Sequence, residues 1–242
     1  NYARALFKFD SGFLEALITT LLWTIINMVL QIGIGFMIAV GLNSSSLRKT
    51  SRVYKTLLML PWAMPAYISI LLWRVGMFNT EFGVLNKFLT MLGFNKVDFL
   101  GNNVIAFCSC LVLNLWMALP FMISTIDGAL QSVDSSLYES ATLDGAGFWV
   151  SIYYITIPAI KPIIAPAAVM TTFITFKQFD IVYLLTQQRG YMTGAKLNTV
   201  ITYAHQNAFV SNNYGLSSAV SILLFVIIIL FSLITNRSLR ED

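Results

Sequence analysis

Hydrophobic positions in this chain fall in long unbroken runs, with polar residues confined to the stretches between them. A helix needs about 20 mostly apolar residues to cross the hydrocarbon core of a bilayer. Five segments meet that length: 16–42, 56–73, 104–126, 163–186 and 216–235. The first carries no charge; the second is uncharged but holds Pro61 and Pro65; the third holds Asn114 and Pro120. The fourth has Lys177 and Asp180 in its second half, and the last is the most uniformly aliphatic. None shows the period-two alternation of an outer-membrane barrel. The pattern predicts an all-α, polytopic transmembrane helical bundle, with residues 1–242 forming one domain.

Two of the connections have structure of their own. Phe82, Val84, Leu85, Phe88, Leu89 and Leu92 recur at helical spacing while Glu81, Asn86 and Lys87 break the other face. That predicts a short amphipathic helix at the membrane surface. In the loop 127–162, Ser136-Leu137-Tyr138-Glu139 follows Asp134 and reads as a capping box that starts a helix. Asp144-Gly145 is a turn signal that stops it, and a second, aromatic helix over 148–157 is expected to end against Pro158. Two short helices joined at a glycine turn, outside the bilayer, make a projecting knob. The polar stretch 187–215 holds the only histidine, His205, which by itself predicts no metal site.

Composition agrees with the pattern and removes alternatives. The chain is 57% hydrophobic and 11% charged, with mean hydropathy +0.74. A soluble domain carries about a quarter charged residues, so disorder, a secreted disulfide scaffold and a nucleic-acid-binding module are excluded together. Cys108 and Cys110 lie two apart in an apolar run, point to different helix faces and act as small apolar fillers. The first residue is Asn1 and no signal-peptide pattern precedes the first run, so the natural N-terminus is expected upstream. The net charge of +4 says little about partners, because cytoplasmic loops of membrane proteins are rich in Lys and Arg. The basic cluster Arg48, Lys49, Arg52 and Lys55 places its loop in the cytoplasm. Counted over all loops, Lys and Arg divide seven to seven and decide nothing.

The long loop carries a recognisable order of residues: Glu139-Ser140-Ala141, two residues, Asp144-Gly145-Ala146, eight residues, then Ile155-Thr156-Ile157-Pro158. It resembles the cytoplasmic EAA motif of ABC-importer permeases, E-A-A, two residues, D-G-A, eight residues, I-x-L-P, with Ser140 and Ile157 as the departures. The resemblance implies that 134–158 is a cytoplasmic coupling loop seated on an ATPase. Glu139, Ser140, Ala141, Asp144, Gly145, Ala146 and Pro158 would carry the contact, with Glu139 as an ionic or capping group and Gly145 permitting close backbone approach. It further implies a multi-pass protein of the prokaryotic cytoplasmic membrane with its C-terminus inside. Leu60-Pro61-Trp62-Ala63-Met64-Pro65, Asn114-Leu115-Trp116 with Pro120, and Phe176-Lys177-Gln178-Phe179-Asp180 are similar to the larger permease subunit of maltose/maltodextrin transporters. Lys177 departs from the usual Asn, and 187–191 lack the usual Gly-Gly-Pro.

Candidate substrate groups come from depth and spacing. Asn114 is mid-span with Ala118 and Phe121 on one face, while Thr171, Thr175 and Gln178 repeat that spacing on the fourth span. Pro61 and Pro65 free backbone groups that need protein or water nearby, so their kinks are expected to face the bundle interior. Amides, hydroxyls and aromatic faces without formal charge suit a neutral polyhydroxylated ligand. The resemblance adds Trp62, Ala66 and Met117 to the same set. Lys177 and Asp180, three apart, could pair on one face as an outer gate. If Lys177 faced the pathway instead, an anionic saccharide such as a uronate oligomer, or glycerol 3-phosphate, would fit.

The expectation is therefore a transmembrane subunit of an ATP-driven importer for a sugar, most simply a maltodextrin-like oligosaccharide. The resemblance implies as partners a second homologous permease, two cytoplasmic ATP-binding subunits, an extracytoplasmic solute-binding protein and the lipid bilayer, but no nucleic acid. No G-x-x-x-x-G-K-[ST] loop occurs, and Gly190 to Lys196 misses that spacing. No cofactor is expected on this chain, ATP and Mg being held by the partner subunits; it is not an enzyme. An ion-coupled secondary transporter is the rival from another class, and it predicts mid-depth carboxylates and inverted repeats.

Overall fold

The structure, a computed structural model, describes residues 2, 12–44, 50–187 and 197–241. Arg48 and Lys49 of the basic cluster, and Gly190 and Lys196, lie outside the described residues. Among the described residues all regular structure is helical. Twelve helices follow in order: α1 Phe13–Leu42, α2 Ser51–Leu58, α3 Leu60–Ala63, α4 Ala66–Leu72, α5 Val84–Met91, α6 Asn103–Gln131, α7 Ser135–Leu143, α8 Phe148–Ser151, α9 Ile157–Phe176, α10 Asp180–Val182, α11 Val200–Phe209 and α12 Tyr214–Glu241. Wide π-type turns extend α4 (Trp73–Met77), α8 (Ile152–Thr156) and α10 (Tyr183–Gln187). Among the described residues four stretches are long and apolar enough to span a membrane, Phe13–Leu42, Asn103–Gln131, Phe148–Thr186 and Tyr214–Leu233, and a fifth if the pair Ser51–Ala63 and Ala66–Met77, bent by 95°, is one span.

Three expectations about the spans need correction. The second apolar run is not one helix, because it breaks at Met64-Pro65 between α3 and α4. Pro65 has no N–H and disfavours helical geometry at Met64; its own backbone is extended, at φ −57° and ψ 129°. Pro158, in turn, does not end the aromatic helix. The wide turn over Ile152–Thr156, closed by the Ile157 N–H on the Ile152 carbonyl, precedes it, and helix continues into α9. A π-turn relieves the demand for the N–H that proline lacks, and the helix passes through. Finally, the fourth run is interrupted after Phe176, so Lys177 and Gln178 lie between α9 and α10 and not on a helix face.

Helix α1 shows why uniform hydropathy hides organisation. Its outward positions Ile18, Leu22, Ile25, Val29 and Met37 are exposed and aliphatic. Its buried seam runs Ala16, Thr20, Trp23, Asn27, Gln31 and Ala39, at steps of three, four or two turns. Small and polar residues at a helix interface permit close approach and interhelical hydrogen bonds where lipid offers no hydrophobic drive. Thr20 and Thr24 return their hydroxyls to carbonyls one turn back.

The chain divides into two compact units. The first comprises Asn1–Asn27, Met64–Leu115 and Phe173–Asp242. Its core gathers Phe13, Ala16, Val200, Tyr203, Leu216 and Val220. The Thr20 hydroxyl accepts the Val200 N–H at 2.9 Å and so satisfies a free donor at the start of α11. Trp23 meets Phe107 edge-on at 5.9 Å. Helix α5 belongs to this unit. Asn86 is buried, bonded to the Asn79 carbonyl and to both backbone groups of Val97, while Phe82, Val84, Phe88, Met91 and Leu92 stay exposed. The second unit comprises Met28–Ala63 and Trp116–Thr172. Ala39, Met122, Ile126, Ala129 and Ile160 form its core. A Cβ at Gly35 would stand 3.1 Å from Met122 Cγ, tighter than most real contacts, so α1 and α6 touch closely there.

Candidate functional site

The motif loop is built almost wholly from local hydrogen bonds. Asp134 is the N-cap of α7: its Oδ1 accepts the Ser136 N–H at 2.9 Å. That bond holds the exposed Asp134 carboxyl below the usual carboxylate range. The cap therefore sits two residues before the Ser136 of the expected capping box. Asp134 already accepts a free donor of the first turn, which leaves Glu139 in mid-helix, exposed and without a hydrogen bond among the described residues. At the other end the Ala146 N–H reaches the Ala141 carbonyl at 2.8 Å and the Gly145 N–H reaches that of Thr142 at 3.1 Å. These two bonds, with Gly145 at φ +81°, are a Schellman terminus. So Ala141, Asp144, Gly145 and Ala146 together end a helix. Nothing lies within 4 Å of a Cβ placed on Gly145; within this chain its backbone conformation, and not a close backbone approach, calls for glycine.

Further contacts hold this loop in the second unit. The Tyr138 hydroxyl shares a 3.0 Å hydrogen bond with the buried Thr156 hydroxyl, joining α7 to the wide turn after α8. The far side of α7 is open: Glu139, Ser140, Leu143, Asp144 and Gly145 are all exposed, Leu143 at 89%. Phe148, Trp149, Tyr153 and Tyr154 are exposed as well. Pro158 is exposed at the start of α9. Beneath α7 lies a cavity of about 540 Å³ walled by the ends of α1 and α6.

The candidate substrate residues have less in common. In the second unit Trp62 on α3 is 62% exposed, Phe121 on α6 is 38% exposed, Met117 and Ala118 are half-buried, and Thr171 on α9 is buried. In the first unit Ala66 is exposed, Gln178 half-buried, and Asn114 and Thr175 buried. No side-chain hydrogen bond joins any of these to another among the described residues. Asn114 is engaged elsewhere, since its Nδ2 donates to Asn27 Oδ1 at 2.6 Å. Thr171 and Thr175, one turn apart on α9, make no back-bond to their own helix, whereas Thr172 donates to the Ala168 carbonyl at 2.8 Å. Two buried hydroxyls of α9 thus remain available. Gln178 does not share their face, because the helix ends two residues earlier. Lys177 and Asp180 are both exposed and form no ion pair with each other among the described residues. The break after Phe176 removes the shared helix face that pairing required.

Several polar residues that spacing did not single out are buried. Asp127 on α6 accepts Asn43 at 2.7 Å on Oδ1, and Lys55 at 2.7 Å and Gln131 at 2.9 Å on Oδ2. This clasp ties the end of α1 and helix α2 to α6. An acid at the edge of an apolar run, in a chain with so few charges, was the available signal. Arg74, counted above as a loop charge, is buried and donates to the Leu184 carbonyl. Gln31 is fully buried, and neither end of its amide has a partner among the described residues.

A family model described as "Binding-protein-dependent transport system inner membrane component" matches residues 31–240. The chain belongs to this family. It is 32% identical over 234 residues to the trehalose/maltose transport system permease protein MalF of Thermococcus litoralis, covering 97% of this chain and 76% of that protein. It is 30% identical over 239 residues to the galactooligosaccharides transport system permease protein GanP of Bacillus subtilis, covering 96% of this chain and 57% of that one. A maltose/maltodextrin permease MalF of Vibrio vulnificus is 29% identical, with 46% of its length covered. The chain thus spans roughly half to three quarters of the relatives it matches. Among solved structures, a bacterial ABC transporter involved in import of the acidic polysaccharide alginate aligns with TM-score 0.83 and 25% identity, over 96% of this chain and 83% of that one. An inward-facing methionine ABC transporter aligns at TM-score 0.63 and 15% identity, over 94% of each chain, a likeness of fold alone. The fold is the all-α permease fold of type I ABC importers, and permeases of this family are membrane transport components, not enzymes.

Proposed function

We propose that this chain is a transmembrane subunit of an ATP-driven importer for a neutral, maltodextrin-like oligosaccharide. The observation that carries the reading is the loop 134–158: a helix capped at both ends by local bonds, with Glu139, Ser140 and Leu143 presented outward and unpartnered. A rigid exposed helix is what an ATPase needs in order to move a membrane bundle. Glu139, Ser140, Ala141, Asp144, Gly145, Ala146 and Pro158 carry or shape that contact, in the cytoplasm, with the C-terminus on the same side. Two ATP-binding subunits hold ATP and Mg, a second permease completes the pathway, and an extracytoplasmic binding protein delivers the sugar. This chain binds no cofactor of its own.

The unpaired hydroxyls of Thr171 and Thr175, with Trp62, Ala66, Asn114, Met117, Ala118, Phe121 and Gln178, are the proposed contributions to the sugar path. The relatives named above, which concern maltose, trehalose and galactooligosaccharides, support the sugar class. A second reading, an anionic saccharide, is favoured by the likeness to the alginate importer and by an exposed, unpaired Lys177. Lys177 and Asp180 then serve at the outer end of the path.

Reconstitution with the partner subunits and binding protein tests the proposal. A neutral oligosaccharide should stimulate ATP hydrolysis, and Gly145→Arg should abolish both assembly and uptake. Uptake that persists without ATP hydrolysis would mean an ion-coupled transporter. Stimulation by a uronate oligomer alone would replace the neutral sugar with an acidic one.

A further inference from the structure

The cavity beneath α7 has a chemistry that docking to an ATPase does not require. Its volume of about 540 Å³ lies within the roughly 300–1,000 Å³ of small-molecule sites. It is lined by Val40, Asn43, Ser44, Gln131, Thr142 and Ser151 among others, and no lining residue is charged. Its hydrogen-bonding groups are neutral amides and hydroxyls that offer both acceptors and donors. Asn43 Nδ2 spends both protons, on Asp127 and on the Ala39 carbonyl, while Gln131 Nε2 spends one on Asp127 and keeps the other. The two amide oxygens have no partner among the described residues. Thr142 and Ser151 donate to the Tyr138 and Gly147 carbonyls and keep acceptor lone pairs for a ligand. Neutral acceptors and donors beside the ring of Phe148 suit a polyhydroxylated ligand without charge. An ammonium ligand finds no free counter-charge, because the Asp127 carboxylate is paired with Lys55.

We infer that this cavity is a second saccharide site, on the coupling-loop side of the protein, which takes a free neutral di- or trisaccharide and slows the transport cycle. The inference rests on the sugar-importer reading above. One wall is α7, with Tyr138 and Thr142; the opposite wall is formed by the ends of α1 and α6. A ligand that bridges the two favours the arrangement that holds them at this spacing over any in which α7 moves relative to them, and so opposes cycling. Imported sugar would thereby limit its own uptake.

The test uses the complete complex in proteoliposomes, with the coupling-loop side facing the bath and loaded binding protein inside. Free maltose, trehalose and maltotriose are added to the bath in turn. At least one is expected to lower the stimulated ATPase rate several-fold at millimolar concentration, while a polyamine has no effect. Val40→Phe and Ser44→Phe, which fill the cavity from the end of α1, should each weaken this inhibition by about tenfold or more and leave the uninhibited rate unchanged. Tritiated sugar binding to the complex without binding protein reads the same site directly, even if one variant fails to assemble. Inhibition that survives in both variants, or no inhibition by any of the three sugars while stimulation from inside the vesicle persists, overturns this inference and leaves the importer reading intact. Absence of stimulation from inside overturns both.

Discussion

The motif loop and the sugar-path residues were both legible as candidates, yet the structure treats them differently. In the loop both ends of α7 are fixed by partners at most five residues away: Asp134 by Ser136, Gly145 by Thr142, Ala146 by Ala141. Sequence spacing is then almost the same thing as geometry. The path residues have no such local lock. Asn114 was assigned by depth and face, but its amide is held by Asn27, 87 residues away. Gln178 was assigned by helical spacing, but the helix ends first. A motif closed by short-range bonds survives translation into space; a face inferred by periodicity survives only while the helix does.

Substitutions can press on that difference. The largest expected loss of stability comes from Asp127→Ala, which strands the donors of Asn43, Lys55 and Gln131. Removing one partner of a buried pair costs about 3–5 kcal/mol, and here about 2 kcal/mol is expected because Lys55 is one-third exposed. Denaturant unfolding of the purified chain in nanodiscs measures it; an unchanged midpoint would show that long-range polar contacts matter less than argued here. Gly145→Ala should cost roughly 1–2 kcal/mol locally by forcing a Cβ into the left-handed region. It should also uncouple ATP hydrolysis from sugar, whereas Gly147→Ala, at φ −78° and with nothing within 4 Å, should do neither.

Gln31→Met should raise stability by about 1 kcal/mol, because a buried amide without partners is replaced by an apolar chain of similar shape. If it abolishes uptake with that gain in stability, Gln31 belongs to the path. Thr171→Val and Thr175→Val break no hydrogen bond, so both should leave the unfolding midpoint unmoved and reduce sugar-stimulated ATPase. Thr172→Val should show the reverse pattern. The smallest effect concerns pH. The Asp134 carboxyl titrates below its unfolded value, so its capping contribution is complete above that value, near pH 4, and is lost as pH falls through the folded one. The protection of the Ser136 amide, its exchange rate relative to the unstructured chain at the same pH, should fall on acidification, and Asp134→Asn should flatten that response.

Much of the molecule was readable from residue order alone. Uncharged runs of membrane-spanning length can bury their backbone polar groups in lipid only as helices, which fixed the fold class. The turn chemistry of Asp144-Gly145 fixed where α7 ends. What hydropathy could not register was which side of each helix is lipid and which is protein. The buried seam of α1, the inward Asn86 and the outward apolar face of α5 all have the same average hydropathy whichever way they turn. The two prolines Pro65 and Pro158 illustrate the same limit, since one breaks its helix and the other does not. Only the preceding wide turn, a feature of backbone hydrogen bonding, separates them.

Residue order by itself therefore determined an all-helical fold with runs of membrane-spanning length and a locally capped helix at 135–143, because length, charge scarcity and short-range bonding act within a few residues of chain. The tertiary structure alone decided the Asp127 clasp, the burial of Arg74 and Gln31, the free hydroxyls of Thr171 and Thr175, and the cavity behind α7. Each depends on which distant groups arrive to share or leave unshared a hydrogen bond, and no local pattern encodes that arrival.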